Sequence, residues 1–215
     1  MSVQVEDMIR VNYFDLGLHI GCELHDFIFK IFPELNITNY HCYGFDACKK
    51  FADFNTSNYQ NFPNVNIYHK AISDTENKDT KLYLVDPQIQ PGEVGHSIYR
   101  TKTNVTDNFE KVESILFSNF LKTKVPSFIS DLNILKVNIE GAEYPLFKDL
   151  VSSDLLKYFP LIIGAGHDVD KVSELDSDEY WKLIKENNID IKRYCSDWKP
   201  ERNVNVVSLI SEYIK

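Results

Sequence analysis

The sequence predicts an α/β fold, in which a mostly parallel sheet carries helices on both of its faces. Short apolar runs that suit buried strands alternate with segments whose apolar residues recur every three or four positions, as on an amphipathic helix. Strands separated by helices favour parallel pairing, because each crossover returns the chain to the same end of the sheet. The 215 residues suffice for one full core, and no linker, repeat or low-complexity segment divides them. Residues 1–215 are therefore predicted to form a single domain.

Three strands and one helix are predicted in the first third of the chain. The run ahead of Gly17 is apolar and suits a buried strand. Beyond Gly21, apolar residues at spacings of three and four form one stripe, until Pro33 ends the helix. In order, these elements are a strand at 11–16, a helix between 21 and 33, a strand at 41–45, an Asn-rich loop at 55–66 and a strand at 65–72.

The rest of the chain begins less regularly and then resumes the alternation. Residues 81–85 alternate loosely in polarity, and turn signals at 86–87 and 91–92 predict that residues 94–99 pair back as a hairpin. Residues 112–121 mix strand and helix signals. The later elements are a strand at 134–139, a helix at 144–151, a strand at 159–163, a helix at 177–187 and two closing strands at 189–194 and 204–210.

Charge and cysteine usage argue against several function classes. The net charge is −9 and no run of Lys and Arg is present, which disfavours nucleic acid and anionic membranes as partners. No apolar stretch approaches the roughly 20 residues that span a bilayer, and the first ten residues lack the apolar core of a secretory signal. The four cysteines show neither Cys-x-x-Cys nor metal-ligand spacing, so we expect thiols in a reducing cytoplasm and no metal site.

The loop after the first strand predicts a binding site for a nucleotide-like cofactor. Asp15 lies at the end of the strand, and Gly17 and Gly21 frame a turn that opens a helix. A dinucleotide site requires Gly-x-Gly-x-x-Gly for close approach of the pyrophosphate, whereas here Leu18 and His19 separate two glycines. S-adenosylmethionine carries no phosphate, and an acid at the strand end attracts its cationic groups. The loop therefore favours S-adenosylmethionine over NAD.

An acid also closes the second strand. Asp46 is placed to accept hydrogen bonds from both ribose hydroxyls of a nucleoside, a role that serves S-adenosylmethionine and NAD equally. It lies 29 positions beyond Gly17, farther than the roughly 20 positions of the dinucleotide fingerprint. A lone Asp at a strand end is often only a turn-former, so its weight comes from its combination with the first loop.

Taken in order, these motifs resemble the FkbM-type S-adenosylmethionine-dependent methyltransferases. The first motif resembles residues 14–21, and the most specific similarity covers residues 135–144, Leu-Lys-Val-Asn-Ile-Glu-Gly-Ala-Glu-Tyr. Weaker similarities lie at 43–46, 70–74 and 112–121. The chain departs from the family pattern at His19, where the family usually has Asn, and at Asn138, where it usually has Asp.

The resemblance implies a class I methyltransferase fold, a Rossmann-like seven-stranded sheet whose last strand runs antiparallel. It also implies transfer of a methyl group from S-adenosylmethionine to an oxygen, often a sugar or polyketide hydroxyl. Carried onto this sequence, the motifs and the strand ends give a set of cofactor-binding candidates. These are Asp15, Gly17, His19, Gly21, Asp46, Ile72 and Asn138.

Methyl transfer to a hydroxyl also needs a group that removes the proton. Glu140 ends the strand at 134–139, and an acid in such an apolar context suggests function. His167 and Asp168 follow the strand at 159–163, and His167 is the first candidate for general base, although a solvated loop histidine explains it as well. We assign catalysis to His167, Glu140 and Asp168.

The acceptor wall is predicted from three further residues. Glu143 starts a helix beside Glu140, where an acid is also favourable for purely structural reasons. His96 and Ser97 lie in the predicted hairpin and are placed to reach over the cofactor.

The sequence therefore predicts an O-methyltransferase that acts on a hydroxyl of a sugar or glycan. Two other classes remain open. One is a non-catalytic, methyltransferase-like binding module, which is suggested by the departures from the family pattern at His19 and Asn138. The other is an NAD-dependent oxidoreductase, which the missing glycine disfavours.

Overall fold

The computed structural model describes residues 9–164, 168–196 and 200–214, and these contain nine strands. The strands are β1 (Val11–Leu16), β2 (Tyr40–Asp46), β3 (Val65–His69), β4 (Ala71–Ile72), β5 (Asn77–Val85), β6 (Val105–Ile115), β7 (Leu132–Val137), β8 (Leu161–Gly164) and β9 (Ile191–Arg193). Six of them form the main sheet in the order β3-β2-β1-β7-β8-β9, and each neighbouring pair runs parallel. The winding direction reverses between β1 and β7, and ligands of open α/β sheets bind at the carboxyl ends of the strands beside such a reversal.

Helices connect these strands. They are α1 (Cys22–Asp26), a π-helical segment (Phe27–Ile31), α2 (Phe32–Glu34), α3 (Lys49–Tyr59), α4 (Phe117–Lys124), α5 (Glu143–Ser152), α6 (Ser177–Glu186) and α7 (Val206–Ser211). Short 3₁₀ turns lie at Leu156–Tyr158, Asp168–Lys171 and Pro200–Arg202. Among the described residues, no helix has the length and apolar character needed to cross a membrane.

The main sheet is buried because its central strand is covered on both faces. Every residue of β1 is buried, and successive residues face opposite sides. Val11 and Tyr13 pack in one apolar cluster with the π-helical segment and α7, whereas Phe14 and Leu16 pack in the other with α4 and α5. This alternation places Asp15 on the same face as Tyr13, beneath the apolar cluster rather than at the open edge of the sheet.

A second sheet of three strands, in the order β4-β6-β5, lies beside the carboxyl end of β3. The predicted single strand at 65–72 is therefore two strands, which separate at Lys70 and belong to different sheets. The expected hairpin is made only through one antiparallel bridge, between Tyr83 and Ser97, because β5 pairs mainly with β6. The ambiguous stretch at 112–121 contains both predicted signals, since β6 ends at Ile115 and α4 begins at Phe117.

The α/β class and the parallel core of the sheet are confirmed, and two local predictions are wrong. Residues 206–211 form α7 instead of a strand, because the Asn205 side chain caps the helix by accepting the Ser208 N–H, and Val206 and Ile210 are buried one turn apart. The expected seventh, antiparallel strand is consequently not found in the described part of the chain, whose main sheet has six parallel strands. Residues 55–59 belong to α3 rather than to a loop, because buried side chains follow one face of that helix.

Candidate functional site

A cleft that is partly open to solvent lies at the carboxyl ends of β1, β2 and β7, with a cavity volume of about 90 Å³. Its floor comes from the main sheet, and the segment between β5 and β6 covers it from the other side. Seven of the residues predicted from the sequence line it: Gly17, His19, Asp46, Ile72, His96, Asn138 and Glu140.

The turn after β1 is held closed by its own backbone. The N–H groups of Gly17 and Leu18 both donate to the carbonyl of Phe45, at 2.9 and 3.1 Å. The N–H of His19 donates to Oδ2 of Asp46 at 2.7 Å. Gly17 has φ 86°, and a Cβ atom there would lie 1.9 Å from the carbonyl oxygen of Asn138, so only glycine fits. Three consecutive amides of the turn are therefore bonded within the protein.

Asp46 joins the turn to the end of β2. Its Oδ1 accepts the N–H of Cys48 at 2.7 Å, and its Oδ2 accepts that of His19, while the residue still lines the cleft. Burial raises the pKa of Asp46 to about 7, against the opposing effect of these two backbone hydrogen bonds. A carboxylate has about four acceptor sites, so two sites remain for a ligand.

Asp15 lies outside the cleft, contrary to the expected role in cofactor binding. Its side chain is fully buried beneath the turn, and its Oδ1 pairs with Nζ of Lys136 at 2.8 Å. Lys136 also donates to the carbonyl of Gly17 at 2.5 Å and lies 3.8 Å from Oε2 of Glu23. Burial raises the pKa of Asp15 to about 6, and Lys136 opposes that increase. This buried ion pair supports the turn from below.

The role of Lys136 was missed, although its pattern was visible. Lys136 is the only charged residue within the apolar strand β7, and a charge in that position requires a buried partner. The partner is Asp15, its direct neighbour across the parallel pairing of β1 and β7. Identifying it required the pairing register, which the sequence did not supply.

Gly21 also does not line the cleft. It has φ 79° at the start of α1, and a Cβ atom there would lie 2.2 Å from Oδ1 of Asn55. The backbone conformation and the close contact with α3 both require glycine at this position, so Gly21 shapes the turn.

Glu143, expected to contact the acceptor, instead fixes the loop after β7. Its Oε1 accepts the N–H of Ile139 at 2.9 Å, and its Oε2 accepts the N–H of Gly141 at 2.7 Å. The side chain is buried, and burial raises its pKa. Both carboxylate oxygens are directed at the backbone, so Glu143 positions Asn138 and Glu140 rather than forming a cleft wall.

A buried charge cluster lies at one end of the cleft. Nζ of Lys102 lies 2.8 Å from Oε2 of Glu140 and 3.2 Å from Oδ2 of Asp168, and Lys171 pairs with the other Asp168 oxygen at 2.7 Å. Burial and the hydrogen bond to Asp168 raise the pKa of Glu140. Burial alone would raise the pKa of Asp168, but the hydrogen bonds of Asp168 to Glu140 and Lys171 lower it overall. The two acids thus influence each other's titration, with the pKa of Glu140 raised and that of Asp168 lowered.

Glu140 is also held in an unusual backbone conformation. Its φ is 59°, in the left-handed region, and its carbonyl accepts a hydrogen bond from Oγ of Ser97 at 2.7 Å. Strain of this kind persists where the surrounding structure imposes it, and it clusters at functional sites. Ser97 is buried and supports Glu140 without lining the cleft, so its predicted contact with the acceptor is replaced by a structural one.

The segment that covers the cleft is attached to the turn after β1. Nε2 of His19 lies 2.7 Å from the carbonyl oxygen of Gly92, and Lys50 pairs with Glu93. His96 follows on the same segment and faces the cleft. His167, the predicted general base, lies outside the described residues.

The described residues contain no group of three or more His, Cys, Asp or Glu side chains that could hold a metal ion. The four cysteines, all within the described ranges, form no disulfide. Comparison of the chain with protein-family models, with curated proteins and with solved structures finds no match.

Proposed function

We propose that this protein is an S-adenosylmethionine-dependent O-methyltransferase that acts on a hydroxyl of a sugar or glycan. The observation that carries the proposal is the junction of Asp46 with the closed turn at Gly17–His19, inside one cleft at the carboxyl edge of the sheet. That junction offers carboxylate oxygens to a ribose and no free run of amides to a phosphate. The sugar or glycan acceptor is proposed from the resemblance of residues 135–144 alone.

The cleft residues fit the parts of the cofactor. Asp46 would accept hydrogen bonds from the ribose diol. An apolar wall of Ala47, Ile72 and Leu82 would face the adenine. Asn138 and Glu140 would lie toward the sulfonium and the amino group, where carbonyl and carboxylate oxygens favour positive charge.

A dinucleotide fits the same cleft poorly. Pyrophosphate binding at a first-strand turn depends on free backbone N–H groups, and the turn donates three of them internally. The acids Asp46, Glu93 and Glu140 line the cleft, against one lysine, Lys70, which pairs with Glu113. This balance repels a doubly charged phosphate linkage and tolerates a cationic cofactor.

When bound, the cofactor supplies a methyl group that is already activated for displacement. The protein then has to align the acceptor hydroxyl and remove its proton. Glu140 is the described residue best placed for that step, because its raised pKa lets the ionised form accept a proton near neutral pH. Lys102 stays 2.8 Å from Glu140 and stabilises its charged form. Asp168 forms a hydrogen bond with Glu140 and acts through it, while the role of His167 stays a prediction.

A non-catalytic binding module is the second candidate. The observation that favours it is the ion pair between Lys102 and Glu140, which reduces the availability of Glu140 as a base. Asn138, where the similar family usually has Asp, adds to that case. A module of this kind would bind the cofactor or a glycan without turnover.

Calorimetric titration tests the proposal directly. We expect S-adenosylmethionine and S-adenosylhomocysteine to bind and NAD not to bind. Asp46→Asn should weaken S-adenosylhomocysteine binding about tenfold, since one charged acceptor of the ribose is lost. Asp53→Asn is the matched control, because Asp53 lies on the exposed surface of α3, where it pairs with Lys49.

Each result has a definite consequence. No binding of either sulfur compound refutes the proposed cofactor, and NAD binding supports an oxidoreductase instead. Cofactor binding with no methyl transfer to any member of a glycan panel supports the non-catalytic module. With turnover present, the raised pKa of Glu140 predicts that kcat increases with pH through neutrality, because the ionised carboxylate is the active form.

A further inference from the structure

His96 carries a buried polar atom that nothing in the described chain satisfies. Its side chain is 8% exposed, it lines the cleft, and its Nε2 has no hydrogen-bond partner among the described residues. Oε2 of Glu93 lies 3.9 Å from this atom, beyond hydrogen-bond distance, and Glu93 already pairs with Lys50. A buried, unpaired donor or acceptor is costly, so its presence at a cleft suggests a ligand partner.

The other ring nitrogen fixes the protonation state of His96. The backbone N–H of Val85 donates to Nδ1 at 3.0 Å, so Nδ1 acts as an acceptor and carries no proton. The neutral ring must then hold its hydrogen on Nε2. Burial also lowers the pKa of His96, which favours the neutral form. His96 therefore carries a single, oriented and buried N–H donor in the wall of the cleft.

The surroundings of His96 indicate which kind of ligand atom it would meet. The Phe51 ring lies 6.2 Å away by centroids at an interplanar angle of 30°. Ile98, Leu82 and Cys48 pack in one apolar cluster with Phe51 and also line the cleft. A slot of rings and apolar side chains with one donor suits a flat heteroaromatic base with an acceptor nitrogen. A sugar would need several polar partners in the same place.

We propose that His96 recognises the base of the bound nucleoside by donating its Nε2–H to a ring nitrogen of adenine. This inference rests on the proposed function and assigns His96 to the cofactor rather than to the acceptor. Asp46 precedes Ala47 and Cys48 directly, so the ribose-facing acid and the base-facing slot are contiguous along the chain. His96 is then a specificity residue that distinguishes a purine with an acceptor nitrogen from a ring that lacks it.

The experiment uses S-adenosylhomocysteine and its 1-deaza, 3-deaza and 7-deaza analogues, each lacking one acceptor nitrogen. Wild-type protein should bind one of the three about 5- to 100-fold more weakly than S-adenosylhomocysteine, because the donor is left unpaired. His96→Phe should bind S-adenosylhomocysteine more weakly by a similar factor and should no longer distinguish it from that analogue. His96→Gln, which keeps an N–H donor on a side chain of similar reach, should retain part of the discrimination.

His41→Phe is the matched control, since His41 lies on β2 beside Tyr43 and away from the cleft lining. The inference is overturned if wild-type protein binds all three analogues as tightly as the parent compound, a measurement that needs no variant. It is also overturned if His96→Phe keeps the full discrimination. If wild-type protein does not bind S-adenosylhomocysteine at all, the proposed function fails, and the assignment of adenine to His96 fails with it.

Discussion

Replacement of Lys136 by Met should destabilise the fold by about 3–5 kcal/mol, because it leaves Asp15 buried without a counter-ion. The two charges lie 2.8 Å apart, and Asp15 is fully buried. With an effective dielectric constant of about 20, an attraction at that distance is worth ~6 kcal/mol. Part of this offsets the cost of dehydrating both groups, which is why the expected loss is smaller. Glu23, 3.8 Å from Lys136, would also lose a neighbouring positive charge.

Urea denaturation measures the effect. With a denaturant slope of about 2 kcal/mol per M, the unfolding midpoint should decrease by roughly 2 M. Lys192→Met is the matched control on β9, where the lysine pairs with Asp190 at the surface, and it should change stability by less than about 1 kcal/mol. The double variant Lys136→Met with Asp15→Asn should recover at least half of the loss, because no uncompensated carboxylate remains. A midpoint for Lys136→Met within about 0.3 M of wild type would refute the reasoning.

Variants of Asp15 and Asp46 test whether each residue supports the turn or contacts the cofactor. Asp15→Asn should lower stability while leaving the affinity of the folded fraction for S-adenosylhomocysteine within about twofold, a change under ~0.5 kcal/mol. Asp46→Asn should weaken that affinity about tenfold, because Asp46 lines the cleft. It should also lower stability, because an amide cannot accept both backbone N–H bonds that the carboxylate accepts. Strong loss of binding in a stably folded Asp15→Asn protein would restore the direct role that the sequence predicted for Asp15.

Three further perturbations test individual features of the site. Gly17→Ala should lower stability by more than about 2 kcal/mol, since its Cβ would lie 1.9 Å from a backbone oxygen. In Gly92→Ala the Cβ meets only a side chain at 3.9 Å, so the expected loss is about 1–2 kcal/mol of backbone strain. Thermal unfolding compares the two variants, and equal losses of stability would contradict the steric argument. Glu143→Gln should lower stability by about 1–3 kcal/mol and increase amide hydrogen exchange in the loop after β7, because an amide cannot accept both backbone N–H bonds. Unchanged exchange would contradict the role of Glu143 in fixing this loop. Folded Asp46 retains a proton from pH 3.8 to about 7, where the unfolded chain has lost it, so stability should fall as pH rises through this range. Asp46→Asn should make that decline shallower by up to ~1.4 kcal/mol per pH unit in urea titrations, and an unaltered slope would count against the raised pKa.

Periodicity alone was sufficient to predict the parallel core. The apolar run at 11–16 became β1 with its predicted bounds, and the helices at 144–151 and 177–187 differ from α5 and α6 by at most one residue at either end. These segments have one strong signal each, and burial of their apolar residues acts in the same direction as that signal. Prediction failed where two signals competed. Residues 204–210 are apolar enough for a strand, and the cap at Asn205 decides for a helix.

Predicting the candidate site was harder because polar residues at strand ends can face three ways. Asp15 and Asp46 carry the same sequence signal, an acid at the end of an apolar strand. Their environments differ, since Asp15 faces Lys136 under the turn and Asp46 faces the cleft. Glu140 and Glu143 differ in the same way, one toward the cleft and the other toward backbone amides. The sequence did not indicate a role for Lys102, because its acidic partners, Glu140 and Asp168, lie far from it along the chain.

The sequence by itself determined the α/β class, the order of the central elements and the edge of the sheet at which polar residues gather. These properties depend on local periodicity and on glycine positions, which a linear chain states directly. Only the tertiary structure decided which of those polar groups face the cleft, which form hydrogen bonds with backbone amides and which form ion pairs with each other. That choice depends on strand register and on contacts between residues far apart in the chain, such as Asp15 with Lys136 and Lys102 with Glu140.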